Sequence, residues 1–364
     1  ADSLLVRNAD DAVAEKLADK TAYKDETIND MIKLSGLGSD DYITFVSISN
    51  YMKDDRLEEK SPKQKRENHK DDDKIAVIYA EGSIIDGKAD EGTIGSITLS
   101  KQIKKARQDN SIKAVVLRVN SPGGSALASD VIWRELILTK AKKPLVVSMG
   151  NVAASGGYYI ACCADKIFAS PNTITGSIGV FGILPNTQNL FKDKLGITFD
   201  RVSTNSNSDL GSLTRPLTDK EYKIIQQGVD DIYDDFITKV SKGRKKVSKA
   251  DVESIGQGRV WSGEDALKLG VVDELGGLQD AIEEAAKRAD LTDYFIYEIP
   301  EKTSPLEAFA AKLKEGTDAS ISTEMKWLSL LGFSKKMQHE LEKIEWIFSG
   351  NGIHARMLLN WDVN

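Results

Sequence analysis

Residues 144–182 read PLVVSMGNVAASGGYYIACCADKIFASPNTITGSIGVFG. Pro144 to Met149 is a short apolar run with β-branched residues at its centre, bounded by Pro and Gly, which predicts a buried strand. Small residues follow at Gly150, Ala153, Ala154, Ser155, Gly156 and Gly157. Tyr158 to Ala164 is helical in character, so Ser155 falls where a strand turns into a helix, at the positive end of the helix dipole. Glycine and alanine around it leave room for a substrate backbone, and the helix start leaves amides unpaired, Gly156 among them, to receive an oxyanion. The residues equally allow a helix N-cap serine in a close-packed turn. The elbow pattern Gly-x-Ser-x-Gly is not matched, since the word here is Ala-Ala-Ser-Gly-Gly.

Working outward, Ala114 to Val119 (AVVLRV) is a second apolar strand that ends in Asn120-Ser121-Pro122-Gly123-Gly124-Ser125, followed by the amphipathic run ALASDVIWRELILTK. Two strand-to-helix turns on adjacent parallel strands open on the same sheet edge. One can carry a nucleophile and the other amide donors. A third word, Thr175-Gly176-Ser177-Ile178-Gly179, follows at close range.

In order and spacing these three words resemble the signal peptide peptidase A (protease IV) family of serine peptidases, within the Clp protease and crotonase superfamily. The likeness runs from about Ile75 to about Leu291 and is to the serine-bearing C-terminal half of the long, duplicated form. It implies an α/β crotonase-like fold of βαβ repeats with a C-terminal helical extension. It also implies Ser155 as nucleophile, oxyanion amides at Gly123, Gly124 and Gly156, and Ser177 as the serine that supports the catalytic base. Neither a cofactor nor a metal is expected.

Composition agrees with an enzyme of ordinary globular type. The 364 residues carry a net charge of −7 with 29% charged and 40% hydrophobic residues, and no basic stripe speaks for nucleic acid. No apolar stretch reaches the roughly 20 residues that span a bilayer, and no signal peptide is expected. Cys162 and Cys163 are adjacent, which suits buried free thiols better than a disulfide or metal pair. His69, His339 and His354 lie far from the serine in sequence, so a Ser-His-Asp triad has no obvious imidazole.

The first residues echo later ones. Asp11-Ala12-Val13-Ala14-Glu15-Lys16-Leu17-Ala18-Asp19 aligns without a gap on Asp265-Ala266-Leu267-Lys268-Leu269-Gly270-Val271-Val272-Asp273. A helix-like run follows each, then a strand-like run opened by Asp-Tyr, at 41–45 and 293–297. A duplicated unit explains the three-part order. The expected organisation is 1–60 as the C-terminal remnant of a first repeat, 61–74 as a charged linker, 75–300 as the serine-bearing domain and 301–364 as a helical extension. Further elements are expected as a helix at Leu190–Leu195, a strand at Phe199–Val202, a helix at Asp219–Val240 capped by Thr218 and Glu221, and helices at Pro305–Lys314 and Met325–Phe348.

The base is the gap in the pattern. In the family that the chain resembles, a lysine of lowered pKa deprotonates the serine. Short members carry it on a Gly-x-Tyr-Lys word, but the matching region 202–212 here has no lysine, and Ser208 stands in its place. Long members take the lysine from the first copy, so the expectation is a fragment that holds the nucleophile, lacks the base and is inactive alone. Lys166 is the nearest alternative but reads as a surface residue at a helix-to-strand turn. The resemblance further implies signal peptides as substrates, a homo-oligomer (a tetramer), and the periplasmic face of a bacterial inner membrane, the anchor lying outside this chain. A crotonase-type acyl-CoA enzyme and a non-catalytic scaffold subunit are the alternatives.

Overall fold

The computed structural model describes residues 4–36, 73–89, 92–300 and, as backbone, 353–356. The expected strand at 41–45, nearly all of the charged linker, the helices at 305–314 and 325–348, and His69 and His339 lie outside the described residues. Two compact units divide the chain: Ala1–Asn68 with Leu195–Ser212, and His69–Lys194 with Leu213–Asn364.

The first unit contains α1 (Ala9–Ala14) and α2 (Lys24–Leu34). The strand expected at Phe199–Val202 is absent, and both residues are exposed. Among the described residues of that unit there is no strand to pair with it, and a short run without a partner gains nothing from extension.

The second unit holds β1 (Lys74–Glu81), β2 (Ser83–Ile85), β3 (Thr93–Gly95), α3 (Ser96–Gln108), β4 (Ile112–Ser121), β5 (Gly123–Ser125), α4 (Ala126–Lys140), β6 (Leu145–Ala154) and α5 (Gly156–Ala161). It continues with β7 (Lys166–Ala169), β8 (Ile174–Gly176), β9 (Phe181–Gly182), α6 (Asp219–Gly243), α7 (Lys249–Ile255), β10 (Val260–Ser262) and α8 (Gly263–Lys268). The last elements are β11 (Glu274–Leu275), α9 (Leu278–Arg288), β12 (Phe295–Ile299) and β13 (Ile353–Arg356). Leu190–Lys194 forms a π-helical turn where a helix was expected. At 353–356 the expected helical extension is instead a strand.

The main sheet runs β10-β8-β6-β4-β1-β12, with β7 also on β6 and β11 on β7, and every pair but β10–β8 is parallel. Its strands are buried on both faces because their side chains alternate. Ala76, Ile78, Val115, Leu117, Val147 and Met149 pack with residues of α3 to α6 such as Ile103, Ile132, Tyr159 and Phe236. Ile75, Val77, Ala114, Val116 and Val146 pack on the other side against Ala281, Ile282, Ala285 and Ala286 of α9. A second sheet runs β3-β2-β5-β13-β9.

The two units share a local pattern at a constant separation of 254 positions. The side chains of Asn8 and Ser262 cap α1 and α8 by accepting from the amides of Asp11 and Asp265. The amides of Glu15, Lys16, Leu17 and Ala18 donate to Asp11, Val13, Ala12 and Ala12. Those of Leu269, Gly270, Val271 and Val272 donate to Asp265, Leu267, Ala266 and Ala266. Lys16 and Gly270 both sit at positive φ, +59° and +77°. The match persists at the next helix: Tyr23 N donates to Glu26 and Gly277 N to Asp280, and each helix closes with the same two C-terminal bonds.

The long helix α6 has the expected capping box, with Thr218 and Glu221 bonded reciprocally. The Arg215 guanidinium above all, with the amide and hydroxyl of Thr218, holds the Glu221 carboxyl at about 2 in spite of burial. A depressed folded pKa gives stability that is present above the ordinary carboxylate range and lost as pH falls toward 2. Glu221→Gln is therefore expected to cost about 2 kcal/mol at pH 7 and close to nothing near pH 2. Urea midpoints at the two pH values measure the difference; an equal loss at both would remove the titration account.

Candidate active site

Parallel pairing of β4 with β6 runs in register from Val115 opposite Leu145 to Val119 opposite Met149, then shifts so that Ser121 faces Ala153. The turns after both strands therefore meet at one sheet edge. A Cβ on Gly157 would lie 2.6 Å from the Ser121 carbonyl oxygen, so the first turn of α5 rests directly on the Ser121-Pro122-Gly123 turn. On the other side β8 is parallel to β6, with Gly176 opposite Ala154, and the Ser155 amide donates to the Gly176 carbonyl at 2.9 Å. Ser177 comes next along the chain, its amide bonded to the Arg259 carbonyl at 2.7 Å. The three words that were separate in the sequence end on neighbouring strands.

Ser155 is the N-cap of α5, with φ +53° and ψ −117°. That backbone region costs about 1–3 kcal/mol for a residue with a Cβ. It is held there by its amide bond to Gly176 and by the Tyr159 amide, which donates to the Ser155 carbonyl at 2.8 Å. The helix consequently begins at Gly156, two residues earlier than the sequence suggested, and ends at Ala161. The Ser155 hydroxyl does not cap the helix: it is buried and, among the described residues, has no hydrogen-bond partner. Ser177 also occupies positive φ, +46°, and is nearly buried.

The glycines differ in what their amides do. The Gly123 amide is already engaged, donating to Ser121 Oγ at 3.1 Å. Gly124 lies in β5, opposite Ile84 of β2, where a Cβ would fall 1.9 Å from the Ile84 carbonyl oxygen. Gly156 is buried at the first position of α5, where helical amides have no partner within the helix.

Behind α5 lies a partly buried polar network. The Tyr159 hydroxyl reaches Asp130 at 3.1 Å and Asp235 at 3.0 Å, and Lys239 bridges the same two carboxylates while standing 4.8 Å from the Trp133 ring. Burial works against the Lys239 charge, but bonds to Asp235 and Asp130 outweigh it and raise the pKa. Arg244 bonds the carbonyls of Cys162 and Ala164 and pairs with Asp273, closing the far end of α5. The two thiols are free and buried, as expected, and burial pushes Cys162 up to about 12.

Lys166 is not placed to act on Ser155. It pairs with Glu274 at 2.6 Å and Glu284 at 3.3 Å, and these outweigh burial to raise its pKa. It stands opposite Val146, near the start of β6, whereas Ser155 follows its end. Lys143 escaped the sequence reading. Burial lowers it to about 8, and it donates to the carbonyls of Ala106 and Asp109 at the end of α3. It too precedes β6, a strand of roughly 30 Å at 3.3 Å per residue, and serves as a helix C-cap. Among the described residues there is no metal-ligating cluster.

A profile of peptidase family S49 matches residues 137–292, and one of Clp protease matches residues 66–175. The chain is 40% identical over 318 residues to Protease 4 of Haemophilus influenzae, covering 85% of this chain and 49% of that protein. It is 45% identical over 223 residues to Protease 4 of Salmonella typhi, covering 61% and 36%. A candidate signal peptide peptidase SppA of Enterococcus faecium is 36% identical over 239 residues, covering 64% of this chain and 69% of that protein. The chain thus spans half or less of the length of the two Protease 4 relatives. The mostly parallel α/β architecture is that of the Clp protease and crotonase-like fold.

Proposed function

The chain belongs to peptidase family S49, and from that premise we propose that it is the serine-bearing part of an endopeptidase that degrades signal peptides or other membrane-derived peptides. The observation that carries this reading is the Ser155 hydroxyl, unpartnered and held on a strained junction between β6 and α5. A serine kept only as a cap would bond its helix; an acyl-CoA enzyme of the same fold would have no use for the strain.

In this reading Ser155 Oγ attacks the scissile carbonyl and gives its proton to a neutral lysine. The amides of Gly124 and Gly156 receive the oxyanion, with Gly123 shaping the turn while its own amide stays on Ser121. The lysine proton passes to the leaving amine, and water, deprotonated by the same lysine, releases the acyl group. Ser177 orients that lysine.

The lysine belongs to a preceding copy of the fold. The repeat at 254 positions supports this, because Asn8–Gly36 reproduces the part of the second unit that follows its serine-bearing core. The charged states of Lys166 and Lys239 support it as well. Signal peptides are released at membranes, so the reading puts the site on the periplasmic face of a bacterial inner membrane, in a homo-oligomeric (tetrameric) ring. Among the described residues no helix is long and apolar enough to cross a membrane.

The test is a fluorophosphonate applied to the chain extended upstream by the preceding copy. Mass mapping is expected to find the adduct on Ser155 and none on Ser177. A protein that hydrolyses peptides without phosphonylation at Ser155 would end the proposal.

A further inference from the structure

Beyond Met149, β6 leaves the register in which it starts. From Val115 opposite Leu145 to Val119 opposite Met149 it pairs with β4 at a separation of 30 positions, but Ser121 faces Ala153, a separation of 32. Asn120 of β4 therefore spans the same length as Gly150, Asn151 and Val152 of β6. This is a bulge of two extra residues, which interrupts the ladder and takes backbone groups away from their usual partners. Because two is even, side chains keep their faces while the end of β6 is drawn back by about 6–7 Å, two strand rises. Carried on at 32, the count sets Ser155 beside Gly123; at 30 it would set Ser155 beside Ser125, beyond the glycine turn.

Side chains replace the ladder along this stretch. From β4, Arg118 Nη1 donates to the Met149 carbonyl at 2.8 Å, and Asn120 Oδ1 accepts from the Val152 amide at 3.2 Å. From the other side, the Thr173 hydroxyl donates to the Gly150 carbonyl at 2.8 Å and the Thr175 hydroxyl to the Ala153 carbonyl at 2.7 Å. Thr173 also accepts from the Ser170 amide at 3.1 Å, which ties the bulge to the turn before β8. Both threonines are buried. A Cβ on Gly150 would stand 3.0 Å from the Asn120 side chain, so the glycine leaves room for that side chain to cross the bulge. Past it, β6 and β8 pair without a shift from Val152 opposite Ile174 to Ala154 opposite Gly176, a count that carries Ser155 to Ser177.

We propose that Asn120, Thr173 and Thr175 are positioning residues of the peptidase: they hold the bulge of β6, and the bulge sets Ser155 level with the oxyanion glycines. This rests on the reading of Ser155 given above. The three act through the backbone of Gly150, Val152 and Ala153 and not on the reacting atoms. A misplacement of about 1 Å can cost about 10²-fold in rate, so a bulge free to slide lowers turnover rather than binding.

The test uses Asn120→Ala, Thr173→Val and Thr175→Val in the chain joined to the preceding copy. Asn120→Asp, Thr173→Ser and Thr175→Ser are the conservative partners that keep the bonding oxygen. Thr139→Val is the control, because it removes a buried hydroxyl that bonds a backbone carbonyl, that of Glu135, within α4 and away from the bulge. Each of the first three is expected to lower kcat for a peptide ester about tenfold with KM changed less than about twofold, and each conservative partner to restore kcat to within about twofold. Thr139→Val is expected to lower Tm and leave kcat unchanged. Hydrogen exchange is expected to speed up about tenfold at amides 150–155 in the three variants and to stay as it was at 114–118. Unchanged kcat in an active protein, unchanged exchange, an equal fall in Thr139→Val, or a loss that the conservative partners fail to restore overturns the proposal. Should a valine variant not fold, Asn120→Ala, at a half-buried position, decides. If the unaltered protein is neither active nor phosphonylated at Ser155 while the exchange difference persists, the reading of Ser155 fails and the clamp on the bulge stands.

Discussion

Ser155→Ala is expected to lower hydrolysis of a peptide ester by at least about 10⁴-fold in the protein that carries its base. The same change is expected to make the fold more stable. The hydroxyl is buried without a partner, an arrangement that costs about 1–3 kcal/mol, and alanine keeps the backbone geometry while removing the unpaired group. The strain at φ +53° is common to serine and alanine and cancels from the comparison. A net rise of about 1 kcal/mol, or about 2–4 °C in Tm, follows for a unit of this size. Loss of activity with unchanged or higher Tm separates a nucleophile from a packing serine. A variant that loses activity only because it unfolds would return Ser155 to the structural role of a buried turn residue.

The second large effect concerns the base. The chain by itself is expected to hydrolyse peptide esters about 10²–10⁴-fold more slowly than the same chain joined to the preceding copy, the usual contribution of a positioned general base. Replacing the lysine of that copy by methionine is expected to return the joined protein to the slow rate. Because the lysine acts in its neutral form, the rate of the joined protein rises with pH through the folded pKa of that lysine and then levels. Equal rates for the isolated and joined chains would locate the base within these 364 residues. Lys143, lowered to about 8, would then be the first residue to examine by mutation, despite its position at the opposite edge.

Much of this was legible in the sequence because the signals are local. Apolar runs bounded by Pro and Gly located β4 and β6, and the Thr218–Glu221 spacing located the start of α6. The nine-residue echo at 11–19 and 265–273 marked a unit whose four helix-end turn bonds recur. Failures came where the outcome depends on a partner distant in the chain. Phe199–Val202 has strand-like residues but no strand beside it among the described residues of its unit, and 353–356, read as part of a helical extension, became a strand because two glycine-bearing edges offer it hydrogen bonds.

The amino-acid order alone determined that a serine stands at a strand-to-helix junction among small residues and that two glycine turns follow parallel strands, because residue size and turn chemistry act over a few positions. Tertiary structure decided which of those groups are free to act. It gave the Gly123 amide to Ser121 and the Lys166 charge to two glutamates, and left the Ser155 hydroxyl with no partner among the described residues. Whether a polar group is satisfied depends on what the sheet brings beside it, and strand register sets that across distances no local pattern spans.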